Sequence, residues 1–190
     1  ASKNITLTTV NESELGRLST HEAPNQVVAV AYMPATGQNL LAKVGDELVV
    51  VCDALNDPGN AGTIIRTADW FGVKNIYFSE GSVDIYNPKV VSAAKGSLFR
   101  VNCHYADLKL LFEANKHMKV YGTFMDGDSI YKTELDRYGF ILIGNEANGI
   151  SHELQPFVTN RISIPNFGKA ESLNAAVAAG LVLGEFRRKQ

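Results

Sequence analysis

With 190 residues, 45% of them hydrophobic, the chain suits one good-sized domain with a substantial core, and global disorder is excluded. A net charge of −2 and a pI of about 6.1 argue against nucleic-acid binding through bulk charge alone. No apolar run approaches the ~20 residues of a membrane helix. The polar, Thr-rich stretch from Ala1 to Val10 does not read as a signal peptide. Cys52 and Cys103 are isolated, and His21, His104, His117 and His152 lie far apart. Free thiols in a reducing cytoplasm are therefore expected, and a metal site is not.

Residues 1–45 differ from the rest. Glu12 to Leu18 reads as a short helix, His21 to Asn25 as a turn, Val27 to Tyr32 as a strand and Met33 to Gly45 as a loop. From Asp46 onward, β-branched apolar runs alternate with helical patterns. The expected strands are Leu48–Cys52, Asn75–Phe78, Met118–Thr123, Phe140–Ile143 and Arg161–Ile164, with Phe99–Cys103 a weaker one. The expected helices are Ala61–Phe71, Pro88–Ala94, Leu108–Asn115, His152–Phe157 and Ser172–Arg188. This alternation predicts an α/β fold, a mainly parallel sheet with helices on both faces.

Three polar, Gly-containing segments leave the carboxyl ends of expected strands, the edge where open parallel sheets bind ligands. The first, Asn56 to Gly62, opens a helix whose free N–H groups favour an anion, and its glycines suit tight turns. Arg66, one turn into that helix, is placed to hold an RNA phosphate; taken alone, it is equally an exposed arginine covering the helix flank. In the second, Gly144 to Gly149, Glu146 stands between Asn145 and Asn148, and the flanking glycines let a ligand approach the backbone. The third, Pro165 to Glu171, leads to Ser172, a suitable N-cap for the last helix, with Asn174 in its first turn. Two basic clusters, Lys89, Lys95 and Arg100, and Arg187 to Lys189, read first as solubility and as cations at a helix C-terminus. Glu80 sits where a dinucleotide fold places its ribose-binding acid. Gly59-x-x-Gly62 is nevertheless not G-x-G-x-x-G, so a nicotinamide-dependent oxidoreductase is a remote alternative.

Asn60 with Arg66 six positions later, Gly144-Asn145-Glu146, and Ile164-Pro165 with Ser172-Leu173-Asn174 resemble the three motifs of the SpoU (TrmH-type) RNA methyltransferases, within the SPOUT superfamily. The resemblance covers roughly residues 46–188. It implies methyl transfer from S-adenosylmethionine to a ribose 2′-hydroxyl of tRNA or rRNA, with S-adenosylhomocysteine as product, by a cytoplasmic homodimer. It also implies a SPOUT-type fold with a deep C-terminal trefoil knot. By the same resemblance Asn60, Arg66, Glu146, Ser172 and Asn174 are catalytic or substrate-positioning, and Thr123, Gly144, Ile164 and Leu173 line the donor pocket. Asn166 and Ala175-Ala176 depart from the commonest pattern without removing a motif polar group. Residues 1–45 resemble the linker that follows a small L30e-like RNA-binding domain in many members. Residues 46–190 are thus expected to be the catalytic domain of a longer protein. A SPOUT enzyme methylating a base and a non-catalytic RNA-binding relative are the alternatives.

A guanidinium is effectively always protonated. Arg66 is therefore expected to clamp phosphate and stabilise the developing alkoxide, while the ribose proton leaves through that phosphate or a water.

Overall fold

The structure, a computed structural model of the chain, describes residues 6–19, 26–32 and 44–188. Contacts divide the chain into two units, Ala1–Thr36 and Gly37–Gln190. In the first, helix α1 (Glu12–Leu18) forms as expected and is closed by a capping box. Asn11 Oδ1 accepts from the Glu14 N–H at 3.0 Å, and Glu14 Oε2 accepts from the Asn11 N–H at 2.9 Å. The strand expected over Val27–Tyr32 does not form. Val27, Val30 and Tyr32 are exposed, because an alternating pattern makes a strand only where a ladder partner receives it. The turn expected over His21–Asn25 and most of the loop expected over Met33–Gly45 lie outside the described residues.

The second unit alternates as predicted: β1 (Leu48–Cys52), α2 (Pro58–Trp70), β2 (Asn75–Ser79), α3 (Pro88–Ala94), β3 (Asn102–Ala106), α4 (Leu108–Ala114), β4 (Val120–Ser129), β5 (Gly139–Ile143), β6 (Asn160–Ser163) and α5 (Ala175–Arg188). The six strands form one sheet in the order β3-β2-β1-β5-β4-β6, and every pairing is parallel. Central strands β1 and β5 are buried along their whole length, which is why both read as continuous apolar runs rather than alternating ones. One face carries Val50, Cys52, Ile76 and Phe78 against α2, α3 and α5. The other carries Val49, Val51, Phe140 and Leu142 against α4. Burying a side chain of this size contributes about 1.5–3 kcal/mol. The two faces therefore hold the sheet rigidly beneath its loops.

Departures from expectation have local causes. Helix α2 starts at Pro58, not Ala61, because Asp57 caps it and proline suits the first helical position. Only Gln155–Phe157 of the helix expected over His152–Phe157 is helical, as a 3₁₀ turn, since Pro156 has no N–H to extend it. Lys95 and Gly96 both take left-handed backbone (φ 49° and 86°), which ends α3, and a 3₁₀ turn at Ser97–Phe99 delays β3 until Asn102. Cys52 and Cys103 are free. Strand β2 separates them by about 9–10 Å, beyond disulfide reach. Burial pushes the Cys103 thiol up to about 12 and raises that of Cys52 as well.

Candidate active site

Because the strands are parallel and in register, the carboxyl ends of β1, β4, β5 and β6 share one edge, with Cys52 beside Ile143, Gly122 beside Leu142 and Thr123 beside Ile162. The chain reverses its order along the sheet between β1 and β5, the place where open α/β sheets form a crevice. All three sequence-predicted loops emerge there.

The corner after β1 is strained and clasped. Ala54 has φ 49°, left-handed backbone in a residue with a Cβ. Its N–H donates to Ser79 Oγ at 2.7 Å and its carbonyl accepts from Asn145 Nδ2 at 2.7 Å. Beside it, the buried Asp53 carboxylate accepts from the Ser151 N–H at 2.8 Å. Both ends of the loop after β5 are thereby tied to the end of β1.

Next, Asp57 Oδ1 accepts from the Asn60 N–H at 2.7 Å, capping α2. Gly59 and Gly62 lie inside this helix and do not form a phosphate-cradling turn. A Cβ on Gly62 would meet the Val90 carbonyl oxygen at 2.5 Å, so this glycine exists to let α3 pack against α2. Arg66 falls on the outer side of α2 with Thr63 and Trp70, and all three are exposed. It stands about 12 Å along the axis from Pro58, not one turn from the helix start. It has no hydrogen-bond or ion-pair partner among the described residues and lies on the wall of neither cavity described below.

The loop after β5 folds back on itself. Asn145 and Gly149 exchange backbone hydrogen bonds at 2.9 Å, and Gly149 is left-handed at φ 66°. A Cβ on Gly144 would lie 2.3 Å from the Gly149 carbonyl carbon. This glycine is therefore demanded by the loop's own packing, whatever a ligand requires. Asn145 Oδ1 accepts from the N–H groups of Ala147 at 2.8 Å and Asn148 at 3.1 Å, leaving its amide nitrogen for Ala54.

Helix α5 begins at Ala175, and its cap is Asn174 in place of the expected Ser172. Asn174 Oδ1 accepts from the N–H groups of Ala176 at 2.9 Å and Val177 at 3.2 Å. That cap sets a direction for everything attached to it. With its oxygen committed to the helix, Asn174 presents Nδ2, which donates to Asn60 Oδ1 at 2.7 Å. Asn60 must then turn its own Nδ2 outward, and it donates to Glu146 Oε1 at 2.8 Å. Residues 114 and 86 positions apart in sequence are thus joined in one chain of hydrogen bonds that ends on a carboxylate.

Two concavities flank this chain. A cavity of ≈ 720 Å³ at the ends of β4, β5 and β6 is lined by Thr123, Gly144, Glu146, Ile164, Ser172 and Leu173, with apolar walls from Ile143 and Ile162. The Thr123 hydroxyl is committed to the sheet, donating to the Leu142 carbonyl at 3.1 Å. A more open groove lies over the start of α2, between Asn56, Asp57, Asn60, Glu146, Asn148 and Asn174. Residues 145–148 form a wall common to both. Among the described residues, no Lys, Arg or His lines either one.

The structure therefore gathers eight of the nine sequence-predicted residues around these cavities and leaves Arg66 apart. Sequence reasoning missed Asp53, Ser79 and Ser151, and saw Asn145 only as a neighbour of Glu146. The one available signal was the polar Asp53 at the end of a fully apolar strand.

The SpoU rRNA methylase family model matches residues 47–184. The 23S rRNA (guanosine(2553)-2′-O)-methyltransferase RlmP of Bacillus subtilis is 34% identical over 181 residues, covering 94% of this chain and 71% of that protein. The 23S rRNA (uridine(2479)-2′-O)-methyltransferase of Streptomyces viridochromogenes is 34% identical over 186 residues, covering 93% of this chain and 64% of that one. The chain thus spans about two thirds of the length of these relatives. The crystal structure of an AdoMet-bound rRNA methyltransferase from Sinorhizobium meliloti superposes with a TM-score of 0.82 at 30% identity, over 94% of this chain and 70% of that one. With its three motifs drawn together at one sheet edge, the chain belongs to the SpoU rRNA methylase family.

Proposed function

We propose that this protein transfers a methyl group from S-adenosylmethionine to a ribose 2′-hydroxyl of rRNA or tRNA. The observation that carries this reading is the chain from Asn174 through Asn60 to Glu146, which brings all three family motifs to the wall between two cavities. The ≈ 720 Å³ cavity fits the donor in size and chemistry. Its apolar walls suit a purine, and Glu146 and Glu171, with no Lys, Arg or His lining the cavity among the described residues, suit a positively charged sulfonium. Gly144, Ile164, Leu173 and Thr123 would hold the donor, which supplies an already activated methyl group. The amide-rich groove next door takes the acceptor nucleoside. Two carboxylates and no cation disfavour phosphate there and favour hydroxyls and base edges. Asn60, Ser172 and Asn174 position the acceptor and brace the loops, and alignment of the reacting atoms supplies much of the rate.

Arg66 is the family residue that this arrangement leaves outside. We infer that it serves the site of a second copy, in a homodimer. Trp70 (85% exposed), Val177 (50%) and Leu181 (42%) lie with it on the outer side of the packed pair α2 and α5, a face suited to burial against another copy. From there Arg66 clamps the RNA phosphate and stabilises developing negative charge. Mixing inactive Arg66→Ala and Glu146→Ala chains restores activity under this proposal, and no restoration counts against it. The resemblance-based knot belongs to the same reading. It is supported by α5, which leaves the edge strand β6 and returns across the sheet to pack on α2, where Arg187 Nε donates to the Phe71 carbonyl at 2.7 Å. A cytoplasmic setting is proposed on the RNA substrate alone; separately, no helix among the described residues is long and apolar enough to cross a membrane.

The test is transfer of label from methyl-labelled S-adenosylmethionine to unmodified tRNA and 23S rRNA transcripts, followed by nuclease mapping. Label on a ribose supports the proposal. Label on a base, or none on any RNA, refutes it.

A further inference from the structure

Among the described residues, Glu146 is the one titratable residue that lines both cavities. Its Oε1 is occupied by Asn60 Nδ2 at 2.8 Å, and among the described residues no hydrogen bond engages Oε2. The direction of the chain matters here. Asn174 caps α5 with its oxygen, so every later member has a fixed donor and acceptor end, and the last position receives a hydrogen bond. That position suits an ionised carboxylate, which only accepts. Other acids around it are excluded by their engagements or their place. Asp57 caps α2 and lines only the groove. Asp53 is buried and accepts from the Ser151 N–H. Glu171 lines only the cavity at the ends of β4, β5 and β6. The Cys52 thiol is buried in the sheet, and burial keeps it protonated.

We propose that Glu146, through Oε2, is the group that accepts the proton of the ribose hydroxyl. This rests on the ribose-methylation reading above. In the step, the O–H bond breaks and its proton passes to Glu146 Oε2. The oxygen's electron pair forms the new O–CH₃ bond while the S–CH₃ bond breaks, its pair staying on sulfur. The sulfonium and the carboxylate both end neutral, and the proton then leaves to water from this exposed side chain. Arg66 is relieved of any role as a base, and water need not take the proton directly.

Glu146→Gln separates this role from positioning. A glutamine presents its carbonyl oxygen to Asn60 Nδ2 and so keeps the chain, while replacing the basic oxygen by an NH₂. The expected result is a single-turnover rate lower by about 100- to 10,000-fold, the usual range for a lost general base. Binding of S-adenosylhomocysteine, measured by calorimetry, and the melting temperature should stay unchanged. The fall in rate of the wild-type protein toward acid should vanish in Glu146→Gln. Formate added to Glu146→Ala should restore a measurable part of the rate, because a small carboxylate then occupies the gap in the wall. The same labelled tRNA and 23S rRNA transcripts serve as acceptor. Wild-type ribose labelling with Glu146→Gln within tenfold of normal overturns the inference and leaves the ribose reading standing. So does an unchanged acid limb in Glu146→Gln without formate rescue of Glu146→Ala. Wild-type protein that labels no ribose overturns both.

Discussion

Removing the clasp on Ala54 tests how far backbone strain at this corner positions the site. Asn145→Ala deletes the 2.7 Å hydrogen bond to the Ala54 carbonyl, together with those that Asn145 Oδ1 accepts from Ala147 and Asn148, and leaves Ala54 itself held by Ser79 through its N–H. Left-handed backbone at an alanine costs about 1–2 kcal/mol, so a corner freed on one side tends to relax toward ordinary backbone. If release is complete, that strain lowers the population of the working corner by about 5- to 30-fold, since each 1.36 kcal/mol is a factor of ten. The corner carries Asn60 and, through Asn145, the wall bearing Glu146, so the single-turnover rate should fall by up to that factor. Ala54→Gly supplies the remedy, because glycine occupies left-handed backbone without penalty. The double variant Asn145→Ala with Ala54→Gly should recover a measurable part of the lost rate, the part due to strain at residue 54, while Ala54→Gly alone stays near normal. Hydrogen exchange at the residue 54 amide gives a second reading: protection falls in Asn145→Ala and partly returns in the double variant. If Ala54→Gly rescues nothing, or Asn145→Ala is fully active, strain at this corner does not position the site.

Three further outcomes are expected. Gly62→Ala forces a methyl group to within 2.5 Å of the Val90 carbonyl, so thermal unfolding should show a loss of about 1–3 kcal/mol with α3 displaced. Asn174→Ala should cost about 1 kcal/mol through the lost cap. Asn174→Asp should keep the cap and most of that stability but still lose activity, because an aspartate cannot donate to Asn60 and the amide must reverse toward Glu146. Equal stability and equal activity in the Asp variant would refute the directional chain. Finally, burial raises the folded-state values of Cys103, to about 12, and of Cys52. A thiol raised in this way contributes stability that is fully present below the unfolded value of about 8.5 and is lost as pH rises above it. Melting temperature should therefore fall on the alkaline side, and Cys103→Ser should flatten that slope. In the native state iodoacetamide should label neither cysteine at neutral pH.

The alternation of strands and helices was legible in the sequence because a buried parallel strand must be apolar on both faces, and Leu48–Cys52 and Phe140–Ile143 are. Boundaries were less legible where one side chain settles them. Asp57 moved the start of α2 forward, and Asn174 moved the start of α5 back, since either a Ser or an Asn can cap and only the backbone path decides which does. Val27–Tyr32 failed as a strand because a strand is defined by its partner, which alternation in a single segment cannot supply.

For the site, the sequence by itself determined which residue types are present and that three loops leave the same sheet edge. Residue identities and spacing sufficed for this, because parallel order fixes where each strand points. Only the tertiary structure decided that Asn174, Asn60 and Glu146 form one directed chain, that Gly62 and Gly144 answer to packing, and that Arg66 lies on the wall of neither cavity. Those facts depend on hydrogen-bond polarity, on close backbone approach and on helix phase measured against distant segments, none of which local sequence encodes.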